Sequence, residues 1–361
     1  MEEDSSFISS KRRSVKTPKD FATSGKPVFG TFDKEFENLN ILSVKRPTFL
    51  PTFMNKMKLT DWEAFELSVK GGLLVCGLAS MGAFKRVVSI FFDEKEKKVY
   101  SWGSNHLPCK GQICASLLNG GTSELKTNKT LFRIINNMEK NEASISGHDK
   151  NKEFGEIKYS LILNSISLPS VVSIPFGPRR PLYTEKIFFK ASGRLIVNNK
   201  TYECDDDSYA IIDDHKGYYP YTMHYDWLTY LGKDKDGKDF GLNLTENQST
   251  NPEDYNENLI WMKDTSSLLP PIHFDKKGDI KHFKDKDSTP ISWHITDKHN
   301  MVDLKCQIEG VDKTYVPGLL AYVHYYVVFG TIKEGYVMLE DGTKKDLSGL
   351  PFIGEDKSVR Y

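Results

Sequence analysis

Neither sign of charge is in excess: 49 Lys and Arg are matched by 49 Asp and Glu across 361 residues. A dedicated nucleic-acid binder carries a basic excess, so no nucleic-acid partner is expected. No apolar run approaches the ~20 residues of a bilayer-spanning helix, which leaves no integral membrane contact to expect. Cysteine is scarce and odd in number, with Cys76, Cys109, Cys114, Cys204 and Cys306. The first 20 residues contain no apolar stretch of the secretory type. Free thiols in a cytoplasmic protein follow from these two observations. Cys109 and Cys114, with His106 ahead of them, lack the second close-spaced ligand pair that a zinc site requires, so no metal is expected. G-x-G-x-x-G, Walker, H-E-x-x-H and G-x-S-x-G patterns are also missing, and with them any motif for a cofactor.

What is present is strand-like. Hydrophobic residues make up 39% of the chain and aromatic residues 12%, enough for a core and biased toward sheets. The segment Glu156–Leu163 alternates, placing Ile157, Tyr159, Leu161 and Leu163 on one face. Apolar runs at 85–92 and 98–102 flank a charged tip at 93–97, and runs at 62–69 and 73–79 flank Gly71. Asn198-Asn199 and Asp341-Gly342 predict tight turns. Residues 131–140 suit either a short helix or a strand, and residues 121–129 look loop-like. Helical periodicity is scarce, so the expected fold is all-β and antiparallel. Residues 1–30 are expected to form a disordered basic, Ser-rich tail. The proline- and charge-rich stretch 263–290 is read as an inter-domain connection, giving domains at 31–265 and 266–361. The second would be small for a closed barrel, and strands from the first half would then complete it.

One region is chemically dense. Residues 213–227 read DDHKGYYPYTMHYDW, followed by GLNLTENQS at 241–249 and YNENLIW at 255–261. Asp213, Asp214, His215, His224, Asp226 and Glu257 are proton-transfer candidates interleaved with aromatic rings. His215 follows two acids, either of which could orient its ring and raise its basicity; an exposed turn histidine is the plain alternative. Asn243 and Asn247 stand at i and i+4, on one face of a strand, where they could hold a ligand oxygen or peg a loop. Aromatic walls with a few placed polar groups describe a ligand pocket, although the same residues also satisfy backbone groups at barrel rims.

These residues carry a resemblance. Tyr183-Thr-Glu-Lys186, Gly193, Asp214-His215-Lys216-Gly217, Tyr225-Asp226-Trp227 and a late Gly354-Glu355-Asp356 occur in this order. The pattern resembles an uncharacterised, mostly bacterial family of domains of unknown function. That family is similar in turn to carotenoid hydratase (hydroxyneurosporene synthase) and the AttH proteins, an architecture that fungal Diels–Alderases share. The resemblance implies two lipocalin-like, calycin-type antiparallel β-barrel domains and a hydrophobic small-molecule ligand.

The expected function is therefore cofactor-independent acid–base chemistry on a terpenoid- or polyketide-like molecule: hydration, isomerisation or cyclisation. Asp214, His215, Tyr221 and Asp226 are the expected catalytic residues. Tyr219, Tyr225, Trp227, Asn243, Asn247, Asn258 and Trp261 are the expected ligand-binding residues. The rival expectation is a non-catalytic intracellular carrier, which has no use for a buried Asp-His pair. No oligomeric partner is assigned.

Overall fold

The structure is a computed structural model that describes residues 12–82, 84–118, 120–285, 289–318 and 322–360. Among the described residues the chain is almost entirely strand, with one α-helix, Asn55–Lys58, and short 3-10 turns. The all-β expectation holds, because alternating apolar residues, Gly and Asx turns leave few stretches with a helical period. Two compact units form: residues 14–221, and residues 12–13 with 222–360.

In the first unit a ten-strand path runs Lys98–His106, Lys85–Asp93, Gly72–Ser80, Thr60–Val69, Tyr209–Gly217, Pro181–Val197, Gly155–Ser165, Glu142–Asn151, Leu131–Asn137, Gly121–Lys126. All of these neighbours pair antiparallel. The sheet curls so that its end strand Lys98–His106 comes round to the hairpin between Glu142–Asn151 and Gly155–Ser165: Trp102 Nε1 donates to the Gly155 carbonyl at 3.0 Å and Asn151 Nδ2 to the Ser101 carbonyl at 2.8 Å. Inside lies an apolar core that includes Phe65, Leu67, Phe91, Phe132, Ile187 and Ile212. The second unit is organised in the same way. Thr265–Leu268, Leu259–Met262, Asp239–Glu246, Thr222–Lys233, Pro351–Arg360, Tyr322–Met338, Val302–Val316, Ser292–Asp297 and Ile272–Lys277 follow one another. They enclose Leu228, Leu242, Ile260, Trp293, Val328 and Phe352.

Three local expectations are corrected. The unit boundary falls at 221/222 and not near 265, because Thr222–Lys233 pairs with the C-terminal strand Pro351–Arg360 in the register Leu228↔Gly354. The 263–290 stretch consequently lies inside the second unit and carries two of its strands, Thr265–Leu268 and Ile272–Lys277. Residues 12–30 are built into the fold: Phe21 is buried edge-to-face against Phe36 at 5.3 Å, and the Arg12 guanidinium donates to the Asn258 carbonyl. Burial pulls Arg12 down to about 9, against the raising influence of Glu257 and Glu340. Residues 1–11 of the anticipated tail lie outside the described residues. Finally, Gly121–Lys126 is a strand and not a loop, since Ser123 and Leu125 alternate inward opposite Ile134 and Phe132. Residues 131–137 are likewise strand.

The 17-residue strand Pro181–Val197 serves different partners along its length, and Gly193 lies where it bends. Gly193 has φ +111°, and a Cβ there would meet the Ser160 carbonyl oxygen at 2.2 Å. Gly193→Ala should therefore lower stability by about 1–3 kcal/mol, from the disfavoured φ and the backbone clash together. A denaturant midpoint unchanged by the substitution would contradict this reading of the bend.

Candidate functional site

Strand alternation decides which side chains can meet. Along Tyr209–Gly217, Ala210 and Ile212 face the core of the first unit, so Asp214 and Lys216 face inward with them. The neighbouring strands place Glu63 and Glu185 directly opposite Asp214, and Asp61 and Tyr183 opposite Lys216. Two polar rungs result: Glu63–Asp214–Glu185 and Asp61–Lys216–Tyr183. Glu63, Asp214, Glu185 and Tyr183 are fully buried.

Hydrogen bonds tie these groups together. Lys216 Nζ donates to both carboxylate oxygens of Asp214. Tyr183 Oη donates to Glu185 Oε1, and the Leu117 amide donates to Glu185 Oε2 at 3.3 Å. Three donors converge on Glu63: Ser123 Oγ, Asn136 Nδ2 at 2.7 Å and Cys114 Sγ at 3.1 Å. Ser123 and Asn136 come from the far end of the strand path, so Glu63 laces the curled sheet across its interior. Ser116 Oγ donates to Glu35 at 2.6 Å. Residues 107–118 thus supply Cys114, Ser116 and Leu117 to this cluster.

The electrostatics follow from burial. Desolvation raises Glu185 well above the usual carboxylate range, reinforced by the charges of Glu35 and Asp214. Burial also raises Asp214, and the attraction of Lys216 does not cancel it. Asp61 moves the same way for the same reason. Burial alone would lower Lys216, but the charge of Asp214 outweighs it and leaves the ammonium firmly protonated. Burial therefore shifts these carboxyls toward their protonated forms, which is the direction a general acid requires.

His215, one residue from Asp214, points to the opposite face of the sheet. Its partner is Asp213, with Nε2 2.9 Å from Oδ1, and Lys186 lies 3.6 Å from Asp213. Burial would raise Asp213, but His215 and Lys186 hold it below the usual range. The His215 ring packs on Trp62 at 4.6 Å, and Tyr219 stacks on the same indole at 6.0 Å. One of the two preceding acids does accompany the histidine, while Asp214 belongs to a different chamber. Tyr221 is 58% exposed.

The other anticipated residues belong to the second unit. Asp226 faces inward beside Asp356, its cross-strand partner, and Lys276 Nζ bridges them at 2.6 and 2.9 Å. His224 Nε2 lies 3.1 Å from Asp226 and its Nδ1 2.8 Å from Ser358 Oγ; this bond to Asp226 raises the histidine. Trp227, Asn243 and Trp261 lie on the reverse face of that sheet. Trp227 Nε1 donates to Asn243 Oδ1 at 2.8 Å, and Asn243 Nδ2 to the Glu257 carbonyl at 2.8 Å. Tyr225 and Tyr325 both donate to Glu355 at 2.5 Å. Asn258 is a scaffold group, accepting from the Thr245 amide and donating to the Pro270 carbonyl. Asn247 closes an Asx turn on the Ser249 amide, so it is not a face-mate of Asn243 in a strand. This unit also has an open cleft of about 530 Å³ between Asp234, Met262, Leu339 and Lys345, away from these residues.

Glu63, Glu185, Lys216, Ser123 and Asn136 were not anticipated. Their signal was a charge in the apolar phase of an alternating run: Glu63 precedes Phe65, Leu67 and Val69 at period two, and Glu185 precedes Ile187 and Phe189.

Over residues 12–361 the chain matches the family model "Domain of unknown function (DUF2804)", and it belongs to that family. No curated protein matches it. Among solved structures it is similar to kievitone hydratase from Nectria haematococca, at 10% identity over 83% of this chain and 88% of that one, with a TM-score of 0.49. It is also similar to a protein of Nitrosomonas europaea described as AttH, at 10% identity over 85% and 93% of the two chains, with a TM-score of 0.45. No residue role passes from either to this chain. Among the described residues no helix is long and apolar enough to cross a membrane. No group of three or more metal-ligating side chains is found among them.

Two measurements check this description. A carboxyl raised in the folded state binds its proton there more tightly than in the unfolded chain, so its contribution to stability falls as pH rises above the usual carboxylate range. Glu185→Gln removes that loss, and the melting-temperature difference, variant minus wild type, should grow between about pH 5 and 8. A difference that stays constant with pH would refute a raised Glu185. Second, burial pushes the Cys76, Cys114 and Cys306 thiols up, whereas Cys109 is exposed. A thiol reagent on the native protein should modify Cys109 first, with Cys76, Cys114 and Cys306 reacting only on unfolding.

Proposed function

We propose that residues 14–221 form a cofactor-independent acid–base enzyme, a hydratase, isomerase or cyclase, that protonates an apolar molecule inside the barrel. The observation that carries this reading is the rung Glu63–Asp214–Glu185, three carboxyls abreast on adjacent strands with the Lys216 ammonium on the next rung. Like charges this close and this dry cannot all ionise, so a neutral carboxyl is kept available at neutral pH. Glu185 is the proton donor, oriented by Tyr183. Asp214, held by Lys216, is the acceptor that completes the transfer. Glu63, which accepts from Ser123, Asn136 and Cys114, stays fixed and holds the far side of the rung in place. The apolar core beside the rung, with Phe65 and Phe132, suits a terpenoid- or polyketide-like substrate better than a polar one.

His215 shares neither face nor partner with Asp214, so it takes no part in this chemistry; the pair Asp213–His215 orders the outer face against Trp62. A carrier would gain support if Asp213, Asp214 and His215 all faced solvent, and each is at most 7% exposed.

The test begins with mass spectrometry of small molecules retained on the purified protein, followed by turnover of the retained apolar compound in ¹⁸O-labelled water or in D₂O. Asp214→Asn and Glu185→Gln should each slow turnover by ~10²–10⁴-fold while His215→Ala has a much smaller effect. Turnover unchanged in Asp214→Asn would overturn the reading. A ligand retained but never converted would make the protein a carrier.

A further inference from the structure

The end of the first barrel nearest the polar rungs carries exposed apolar side chains. Phe49 is 89% exposed, Phe53 86% and Met57 61%, with Leu42 at 44% just upstream. Strand directions place more of them at the same end. Thr60–Val69 starts there, Gly72–Ser80 ends there, Lys85–Asp93 starts there and Lys98–His106 ends there. Phe84 and Leu107, 37% and 67% exposed, flank those strand ends. The turn at Gly82 packs on the Met57 backbone, where a Cβ would meet the Met57 carbonyl oxygen at 2.2 Å.

This segment is held, not loose. Asn55 is buried and its Nδ2 donates to the Leu42 and Val44 carbonyls at 3.1 and 2.7 Å. Phe53, in the 3-10 turn Thr52–Met54, and Met57, in the helix Asn55–Lys58, each lie two residues from Asn55, so anchoring Asn55 inward turns both outward. Apolar residues fixed at such exposure are costly in water unless something covers them.

Along this segment the charge has one sign. Residues 38–60 contain no Asp or Glu, while Lys45, Arg46, Lys56 and Lys58 are all exposed. In a chain of zero net charge this is a local basic excess interleaved with aromatic and thioether prongs. A surface that inserts apolar groups at the acyl boundary and meets phosphate and carboxylate headgroups with lysines has this composition.

We propose that the mouth formed by Leu42, Phe49, Phe53, Met57, Phe84 and Leu107 docks the protein on an anionic lipid surface. Binding is peripheral: the prongs enter the interface and the four cations face the headgroups. The docking stands on exposure and charge alone. Its use, to admit an apolar molecule from the bilayer toward Asp61, Lys216 and Glu185, rests on the acid–base reading above.

Co-sedimentation of the full chain with vesicles tests it. Wild type should sediment with phosphatidylcholine vesicles that contain about 30% phosphatidylserine, release at high salt, and bind neutral phosphatidylcholine vesicles more weakly. Replacing Phe49 and Phe53 by Ser should weaken partitioning by about tenfold per ring. K56E/K58E should remove the preference for phosphatidylserine. Both variants should keep the wild-type melting temperature, because the altered side chains are exposed. Wild type that stays in the supernatant with both vesicle types overturns the proposal, as does a Phe49→Ser/Phe53→Ser protein that sediments like wild type. If the prongs join two copies of the chain instead, size-exclusion chromatography will show a dimer that the Ser variant dissolves, with no vesicle binding; that outcome also overturns it. Vesicle binding is read without turnover, so its failure and the failure of the acid–base reading are separately visible.

Discussion

A carboxylate inside a β barrel must be hydrogen-bonded, paired or protonated, because the desolvation of a bare ion costs several kcal/mol even after relaxation. In the first unit that constraint organises one whole end of the interior. Glu63 takes the hydrogen-bonded solution, with Ser123 and Asn136 reaching it from the last two strands of the path and Cys114 from the connection before them. Asp214 takes the paired solution through Lys216, and Glu185 the protonated one. The three solutions are coupled, since each group lies opposite the next across adjacent strands. Curling of the sheet is part of the same arrangement, as the donors for Glu63 can reach it only when Gly121–Lys126 and Leu131–Asn137 come round to face Thr60–Val69.

The second unit applies the same device on a smaller scale. Asp226 and Asp356 face each other across two paired strands, and Lys276 bridges both carboxylates. Burial would lower that lysine, but the two aspartates outweigh it. Here the charge count is two acids to one lysine, and the histidine partner is half-exposed. In the first unit the rung carries three acids against one lysine and no solvent reaches it. The difference between a structural bridge and a proton store lies in that ratio and in the depth of burial.

Much of the fold was legible because period two is a strong signal. The hairpins about Gly71 and 93–97 and the alternation of 157–163 follow directly from residue order. The site was less legible, and for a related reason. Asp214-His215 reads as a pair in the sequence, but in a strand adjacent residues face opposite ways, so an Asp-His neighbour is the one geometry that cannot form a dyad within a chamber. Asp213 and His215, two apart, can and do meet. The domain boundary was obscured because Pro270-Pro271 marks a connection within a sheet as readily as one between domains, whereas the pairing of Thr222–Lys233 with the C-terminal strand leaves no local trace. Gly121–Lys126 was missed because its inward residue, Ser123, is polar by necessity: it serves Glu63, and a hydrophobic residue there would leave that carboxylate short of a donor.

The burial that makes these carboxyls useful also closes them off, so access and chemistry cannot be independent. The connection 107–118 lies against the cluster through the Leu117 amide on Glu185, Cys114 on Glu63 and Ser116 on Glu35. On the acid–base reading proposed above, its own anchors are the acids that a substrate must reach. A hydrogen bond to a charged acceptor is roughly twice as strong as one between neutral groups, so the hold on Leu117 depends on the protonation of Glu185. With Glu185 neutral the Leu117 amide is held more weakly, and a substrate that offers its own contacts to the carboxyl can displace it. Once the proton has left, the carboxylate binds the amide more strongly. On that reading the proton-bearing Glu185 holds the Leu117 amide more weakly than the ionised one, so the contact that covers the rung and the charge state of the rung are a single variable.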